Sequence, residues 1–227
     1  KEVEKNNLFI AIRGGNAYIS EALEKGAFVI YDDKMLKLKS NSNSFLVSDS
    51  IEFMQKLAHR WRKALNIKII GITGSNGKTT TKELIQAVLS KKYNTLATIG
   101  NLNNHIGVPL TLLRFTKETE IGIVEMGANH QKEIEFLCEI AQPDYGYITN
   151  FGKAHLEGFG GVEGVIKGKS EMYDYLRNNE KIVFINLDDA IQKEKATGIK
   201  QFSFGLNESK VDVKIDKVEA NPMVKIT

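Results

Sequence analysis

The chain has 227 residues, of which 42% are hydrophobic and 26% are charged, as expected for a globular protein that buries a full core. Its 31 basic and 28 acidic residues leave a formal net charge of +3, which argues against a nucleic-acid-binding protein, because that class concentrates positive charge. No apolar stretch reaches the roughly 18 residues of a membrane span, and residues 1–7 are too polar for a signal peptide. We therefore expect a cytoplasmic protein with no membrane span and no nucleic-acid partner.

The first third of the chain has the pattern of a small α/β lobe. Short apolar runs at residues 8–12 and 27–31 flank a helical stretch at residues 18–25, which ends at Gly26. A second helix is predicted from the capping residue Asp49 to about Leu65. We place a domain boundary near residue 66, so that an N-terminal lobe with its linker helix spans 1–66 and a central domain spans 67–227.

The central domain alternates buried strands with helices, the pattern of a mostly parallel sheet. Its predicted strands are residues 68–72, 121–124, 145–148 and 182–185. After Gln201 the apolar residues alternate, which predicts antiparallel strands or an extension of the sheet. Cys138 is the single cysteine, and it lies on the apolar stripe of a predicted helix, so we expect it in the core. That stripe consists of Ile134, Leu137, Cys138 and Ala141.

A glycine-rich loop follows the first strand of the central domain and leads directly into a helix. We predict that the loop binds ATP through Gly74, Ser75, Asn76, Gly77, Lys78, Thr79 and Thr80. Glycines let successive backbone N–H groups turn toward one phosphate, and the start of the helix adds a partial positive charge. Lys78 would neutralise phosphate, and the Thr79 hydroxyl would bind Mg²⁺. The general P-loop pattern has glycine at the position of Ile72, so a plain glycine-rich turn stays open as the alternative. The predicted inner face of the helix is Leu84, Ile85, Val88 and Leu89.

Residues 73–80, Thr-Gly-Ser-Asn-Gly-Lys-Thr-Thr, resemble the loop of the Mur ligases and of folylpolyglutamate synthase, which also lacks that early glycine. Residues 100–111 resemble the segment of those Mur ligases that add D-alanyl-D-alanine to UDP-N-acetylmuramoyl tripeptide. Three further blocks follow in the order of the family, at residues 125–129, 154–160 and 167–171. The resemblance implies that the N-terminal lobe of residues 1–66 binds a nucleotide sugar. It also implies that residues 67–227 are a P-loop, ATP-binding central domain that is truncated here, and that a C-terminal ligase domain is absent.

The resemblance also implies an ATP-dependent ligase of peptidoglycan precursor synthesis, and so a role in cell wall biogenesis, cell shape and cell division. In the implied reaction a substrate carboxylate attacks the γ-phosphate of ATP, and the amine of the second substrate captures the acyl phosphate. The expected partners are small molecules, namely UDP-N-acetylmuramoyl tripeptide and D-alanyl-D-alanine, and the expected state is a monomer. Another Mur ligase, folylpolyglutamate synthase, or a noncatalytic ATP-binding fragment remain alternatives. A guanine-nucleotide switch is disfavoured because the chain has no Asn-Lys-x-Asp motif.

Several side chains outside the loop are assigned through the resemblance. Glu125, at the carboxyl end of a predicted strand, is a candidate Mg²⁺ ligand, although a solvated acid is the plain alternative. The family places His155 at a second Mg²⁺ and carbamylates the lysine that matches Lys169, which we prefer to Lys167 because Ser170 and Glu171 follow it. The predicted catalytic residues are Lys78, His155 and Lys169, the metal ligands Thr79, Glu125, His155 and Lys169, and the substrate-binding residues Asn101, Asn103 and Asn104.

Overall fold

The computed structural model describes residues 3–38, 43–153, 155–220 and 224–226. Contacts within the chain divide it into two units, Lys1–Leu57 and Ala58–Thr227. This division falls inside a helix, Ser50–Leu65, rather than after it near residue 66. Among the helices of the described residues, none combines the length and the apolar composition needed to cross a bilayer.

The first unit is built on a three-stranded parallel sheet in the order β1-β2-β3. The strands are β1 (Leu8–Ile10), β2 (Phe28–Tyr31) and β3 (Ser44–Leu46). A 3-10 turn, Gly15–Tyr18, leads into helix α1 (Ile19–Glu24), which buries Ile19 and Ala22. Gly26 adopts φ 76°, and the N–H of Ala27 donates to the carbonyl of Ala22 at 3.0 Å, so the helix ends as its glycine predicts. The small α/β lobe is therefore confirmed.

Helix α2 (Ser50–Leu65) begins where its capping residue predicts. The Asp49 carboxylate accepts hydrogen bonds from the N–H groups of Ile51 and Glu52 at 2.7 and 2.9 Å. At its other end, Arg62 is buried and donates to the carbonyls of Ala141 and Gln142, each at 3.0 Å. This end of α2 is thereby fixed to the core of the second unit.

A seven-stranded sheet, parallel throughout, forms the second unit. Its strands are β4 (Lys68–Thr73), β5 (Thr95–Ala97), β6 (Ile121–Glu125), β7 (Tyr145–Ile148), β8 (Ile182–Asn186), β9 (Lys200–Gly205) and β10 (Val213–Lys214). Their spatial order is β5-β6-β4-β7-β8-β9-β10. β9 and β10 extend the sheet in parallel, and β11 (Val218–Ala220) pairs antiparallel with β12 (Val224–Ile226). The predicted parallel sheet is confirmed, and the short strand β5 is an addition.

Helices of the second unit connect these strands. They are α3 (Lys78–Leu89), α4 (Gly107–Leu112), α5 (Glu133–Ala141), α6 (Leu156–Phe159), α7 (Val162–Asn178) and α8 (Ala190–Lys195). The main core combines residues of α5 and α7 with the central strands. The predicted α5 stripe is confirmed, because Ile134, Leu137, Cys138 and Ala141 are all buried. Burial also raises the pKa of the Cys138 thiol, as expected for a core cysteine.

The predicted inner face of α3 is wrong in part. Leu84 and Val88 are 64% and 70% exposed, and they line an apolar groove of about 540 Å³ together with Phe202 and Phe204. Helical periodicity identifies an apolar face, but it does not report whether another element covers that face. The one fully buried side chain of α3 is instead Lys82.

The order of the strands locates a crevice at the carboxyl end of β4. The chain runs from β4 to β5 and β6 on one side, and then crosses to β7 on the other side of β4. Open parallel sheets bind ligands at such a reversal, outside the carboxyl ends of the strands. The glycine-rich loop, Glu125 at the end of β6 and the loop that follows β7 all meet at this crevice.

Candidate active site

The glycine-rich loop joins β4 to α3 in a conformation that depends on two of its glycines. Gly74 has φ 137°, and a Cβ added there would lie 2.0 Å from the Thr149 hydroxyl oxygen. Gly77 has φ 76° at the residue that precedes α3. Residues with side chains rarely adopt such positive φ values. The loop therefore needs glycine at both positions, although for different reasons.

Residues that follow β7 hold the loop in place. The N–H of Ser75 donates to the carbonyl of Asn150 at 3.1 Å, and the Ser75 hydroxyl donates to the carbonyl of Gly152 at 2.9 Å. The carbonyl of Asn76 accepts from the Thr149 hydroxyl at 2.6 Å and from the Asn150 amide at 3.0 Å. The loop is thus preorganised by the neighbouring strand.

The start of α3 offers donors for an anion. Within the described part of the chain, no acceptor lies against the backbone N–H groups of residues 77–80. Lys78 Nζ lies over the loop and donates to the carbonyl of Gly74 at 2.7 Å. Burial lowers the pKa of the Lys78 amine, and the nearby Glu125 carboxylate opposes that shift. A helix start with unpaired N–H groups and one lysine is the arrangement that binds phosphate groups.

Glu125 brings the phosphate loop and the asparagine segment together. Its carboxylate is 1% exposed and accepts from the Thr79 hydroxyl at 3.0 Å and from the Asn103 amide at 2.8 Å. The hydroxyl and the carboxylate are hard oxygen donors in contact, which fits one Mg²⁺. Across residues 3–38, 43–153, 155–220 and 224–226, no three His, Cys, Asp or Glu side chains are grouped closely enough to hold a metal. The oxygen pair therefore fits the first predicted ion, and the second stays a prediction.

The three predicted asparagines are placed differently. Asn103 orients Glu125, and the Asn104 side-chain oxygen accepts from the N–H groups of Ile106 and Gly107 at 3.1 and 2.9 Å, which makes a turn before α4. Asn101 is exposed, and its side chain makes no hydrogen bond to another described residue. All three line a cavity of about 370 Å³.

The same cavity contains several predicted site residues and others that the sequence did not reveal. Lys78 and His155 contribute to its wall, and the wall also includes His105, which was not among the predicted site residues. Further lining residues are Gly127, Ala128, Asn129, Glu133, Phe136 and Leu137. A larger cavity, of about 700 Å³, is lined by Lys167 and other residues of α7 and α8, and none of the loop residues contributes to it.

Lys169 is a buried lysine on α7. Its side chain is 1% exposed, Nζ donates to the carbonyl of Ala128 at 3.2 Å, and Nζ lies 5.1 Å from the centre of the Phe159 ring. Burial, together with the charge of Lys78, lowers the pKa of Lys169 to about 8. His155 precedes α6 with φ 56°, next to Ala154, which lies outside the described residues.

Two further charged residues support the site, and the sequence analysis missed both. Glu171 accepts from the N–H groups of Lys132 and Glu135 at 2.5 and 3.0 Å, and so caps the start of α5 from α7. Lys82 Nζ is fully buried and donates to the carbonyl of Thr98 at 2.6 Å. For Lys82, the only signal in the sequence was its position one helical turn after Lys78. For Glu171, no sequence pattern indicated that it caps α5.

Comparison with known proteins identifies the family to which this chain is similar. The model of the Mur ligase middle domain matches residues 72–225. A Bacillus subtilis (strain 168) protein named UDP-N-acetylmuramoyl-tripeptide–D-alanyl-D-alanine ligase is 36% identical over 90% of this chain and 46% of its own length. The Escherichia coli (strain K12) protein of the same name is 38% identical over 80% of this chain and 40% of its own length.

Solved structures agree with these relatives. The MurF ligase of Thermotoga maritima, solved in complex with ADP, has a TM-score of 0.80 and 35% identity over 91% of this chain and 49% of its own. A crystal structure of MurF from Acinetobacter baumannii has a TM-score of 0.80 and 31% identity, with 96% of this chain and 49% of that chain covered. The chain spans about half the length of these proteins. Through its middle domain, the chain belongs to the Mur ligase family.

Proposed function

We propose that the protein is an ATP-dependent ligase that adds D-alanyl-D-alanine to UDP-N-acetylmuramoyl tripeptide through an acyl phosphate. One observation carries the proposal: Glu125 contacts both Thr79 of the phosphate loop and Asn103 of the segment that resembles this class of ligase. Relatives that bear this name support the choice of substrates. The described residues would supply the nucleotide site, and the reaction would belong to cell wall synthesis, which supports cell shape and division.

The nucleotide side of the reaction rests on charge neutralisation. A substrate carboxylate and the phosphates of ATP are all negative, and phosphoryl transfer is catalysed mainly by positioning and by compensating charge. Lys78 and the N–H groups at the start of α3 would hold the phosphates at the carboxyl end of β4. Thr79 and Glu125 would hold one Mg²⁺, which supplies positive charge to the phosphates when it is bound.

On the acceptor side, the three asparagines would have separate roles. Asn103 and Asn104 are engaged by Glu125 and by the turn before α4, so they would position the segment. Asn101 has its amide available to the cavity and would contact the substrate. The cavity that contains Lys78 and His155 would therefore receive the tripeptide end of the first substrate.

Carbamylation of Lys169 is part of the proposal. The neutral amine of lysine would attack CO₂, form an N–C bond and release one proton to solvent. The lowered pKa of Lys169 favours this step because it increases the neutral fraction. The product would carry a negative charge, and we expect it to bind the second Mg²⁺ together with His155. Isotopically labelled bicarbonate should give a carbamate signal in NMR spectra of the protein, and this signal should be missing in Lys169→Ala.

The substrates are tested on the full-length gene product with Mg·ATP, UDP-N-acetylmuramoyl tripeptide and D-alanyl-D-alanine, using mass spectrometry of the products. We expect the pentapeptide nucleotide together with ADP and phosphate. A parallel reaction with a folate and glutamate tests the other enzyme class with a similar loop. Product in that reaction alone, or ATP binding without any ligation, would overturn the proposed substrates. Cytoplasmic location and a monomeric state are proposed with this reaction, and size-exclusion chromatography with light scattering checks the second.

A further inference from the structure

Lys82 is a fully buried cation on the helix that starts at the phosphate loop. It lies one turn after Lys78, and its side chain is 0% exposed. Nζ contacts the carbonyl oxygens of Thr98 and Gly100 at 2.6 and 3.4 Å and the Glu83 carboxylate at 3.0 Å. An ammonium group has three donors, so these three oxygens satisfy it. Burial of a charge is costly unless such partners are present, and an apolar side chain would fill the same space without that cost.

The carbonyls that Lys82 contacts belong to the segment between β5 and α4. Thr98 follows β5, and its hydroxyl oxygen accepts from the N–H of Glu125 at 3.0 Å. Gly100 immediately precedes the asparagines of the candidate site. The contacts of Lys82 therefore fasten the start of this segment, residues 98–103, to α3.

These contacts close a ring of hydrogen bonds. Thr79 of α3 donates to Glu125, and Asn103 donates to the other oxygen of the same carboxylate. Lys82, on the same helix as Thr79, donates to carbonyls of the segment 98–103 and so connects this segment back to α3. The ring passes through both carboxylate oxygens of Glu125. The hydrogen bond from the Glu125 N–H to the Thr98 hydroxyl oxygen adds a second link between Glu125 and the segment. A displacement of the segment would therefore rotate the carboxylate away from Thr79.

We propose that Lys82 is a positioning residue that holds the segment 98–103 against the phosphate-binding helix, and thereby orients Glu125 toward Mg²⁺ and the nucleotide. The inference rests on the proposed nucleotide site, and it does not require the proposed acceptor substrates. Groups that orient a metal ligand from outside the metal site commonly change metal affinity by about 10- to 100-fold. Lys82 would act in this way through Thr98 and Asn103, without a contact to the ligand.

The test uses calorimetric titration of the full-length protein with ADP, once with and once without Mg²⁺. In Lys82→Met we expect Mg²⁺-dependent ADP binding to weaken by roughly 10-fold, and Mg²⁺-free binding to stay unchanged. The matched control is Lys91→Met, which removes an exposed lysine just after α3 and should bind as wild type does. In the double variant with Asn103→Ala the two effects should not add, because both residues act on Glu125.

A second measurement needs no variant. Hydrogen exchange in the wild-type protein should slow at the amides of the segment 98–103 when Mg·ADP binds. The proposal would be overturned if Lys82→Met bound ADP as wild type does, or if its ADP affinity fell equally with and without Mg²⁺. It would also be overturned by additive effects in the double variant or by unchanged hydrogen exchange. If Lys82→Met does not fold, the exchange experiment decides alone. Failure of the ligation assay with these binding results intact would reject the acceptor substrates and leave the role of Lys82 standing.

Discussion

The Thr79 hydroxyl donates to Glu125 Oε2 at 3.0 Å, although 46 residues separate the two in the chain. Thr79 lies in the first turn of α3, the helix after β4, and Glu125 ends β6, the strand next to β4. Parallel strands present their carboxyl ends at one edge, so a loop hydroxyl and a strand-end carboxylate meet there. In the described residues no lysine, arginine or histidine forms an ion pair with Glu125. Both groups are therefore available to one divalent cation.

Replacement of Glu125 by Gln should weaken Mg²⁺ binding because an amide oxygen lacks the negative charge that Mg²⁺ prefers. We expect the Mg²⁺ concentration for half-maximal nucleotide binding to rise by at least about 10-fold. Titration of Mg²⁺ at fixed ADP measures this change. The control is Glu118→Gln, which alters an exposed glutamate in the turn before β6. An unchanged midpoint in Glu125→Gln would reject Glu125 as a ligand.

His155→Ala tests the predicted second Mg²⁺. If this histidine binds the ion, turnover of the full-length protein should fall even at saturating Mg²⁺, whereas ADP binding at Thr79 and Glu125 should persist. The comparison variant is His59→Ala, which removes a ring that contacts the carbonyl of Glu139 at 3.0 Å. Steady-state kinetics across Mg²⁺ concentrations separates the two variants, and wild-type turnover in His155→Ala would contradict the assignment.

Gly74→Ala should damage the phosphate loop because the new methyl group would lie 2.0 Å from the Thr149 hydroxyl oxygen. The loop must move, and a shift of about 1 Å in an active site commonly lowers turnover by roughly 100-fold. Gly198 also has a positive φ, 78°, but no atom lies within 4 Å of a Cβ added there. Gly198→Ala should therefore cost only about 1–2 kcal/mol of stability and keep ADP binding. Equal ADP affinity in the two variants would argue against a role for the close contact at Gly74.

Lys169 should make stability depend on pH in a defined direction. Its pKa is about 8 in the folded protein against 10.5 as the ordinary value, so between these values the unfolded chain binds the proton more readily. The free energy of unfolding should then rise with pH from about 8 to about 10.5, by an amount on the order of 3 kcal/mol at most. Below pH 8 the full penalty for a buried ammonium is present.

Lys169→Met removes this contribution. In CO₂-free buffer, the difference in unfolding free energy between wild type and Lys169→Met should shift in favour of wild type as pH rises through this window. Denaturant unfolding at several pH values measures the difference, and other titrating groups cancel in the comparison. Lys167→Met, on the same helix, serves as the control. Parallel pH profiles for wild type and Lys169→Met would show that the lysine is not buried as a cation.

Local sequence was sufficient for those features that depend on neighbours in the chain. Around residues 68–89, apolar runs predict the strand and the helix, and the glycines between them predict the loop. The buried stripe of α5 follows from helical period, and the ends of α1 and α2 follow from Gly26 and Asp49. Each of these signals lies within a few residues of the feature that it predicts.

Tertiary structure decided what each charged side chain does and which apolar face is covered. Lys82 and Leu84 lie on the same helix, yet the lysine is fully buried and the leucine is 64% exposed. The lysine can be buried because carbonyls after β5, distant in sequence, accept its hydrogen bonds. The leucine stays exposed because no described element covers the groove that it lines. Glu125 likewise acquires its two donors only when β4 and β6 pair. Sequence specified the elements, and long-range packing determined the environment of each functional group, because burial and hydrogen-bond partners depend on contacts between distant segments.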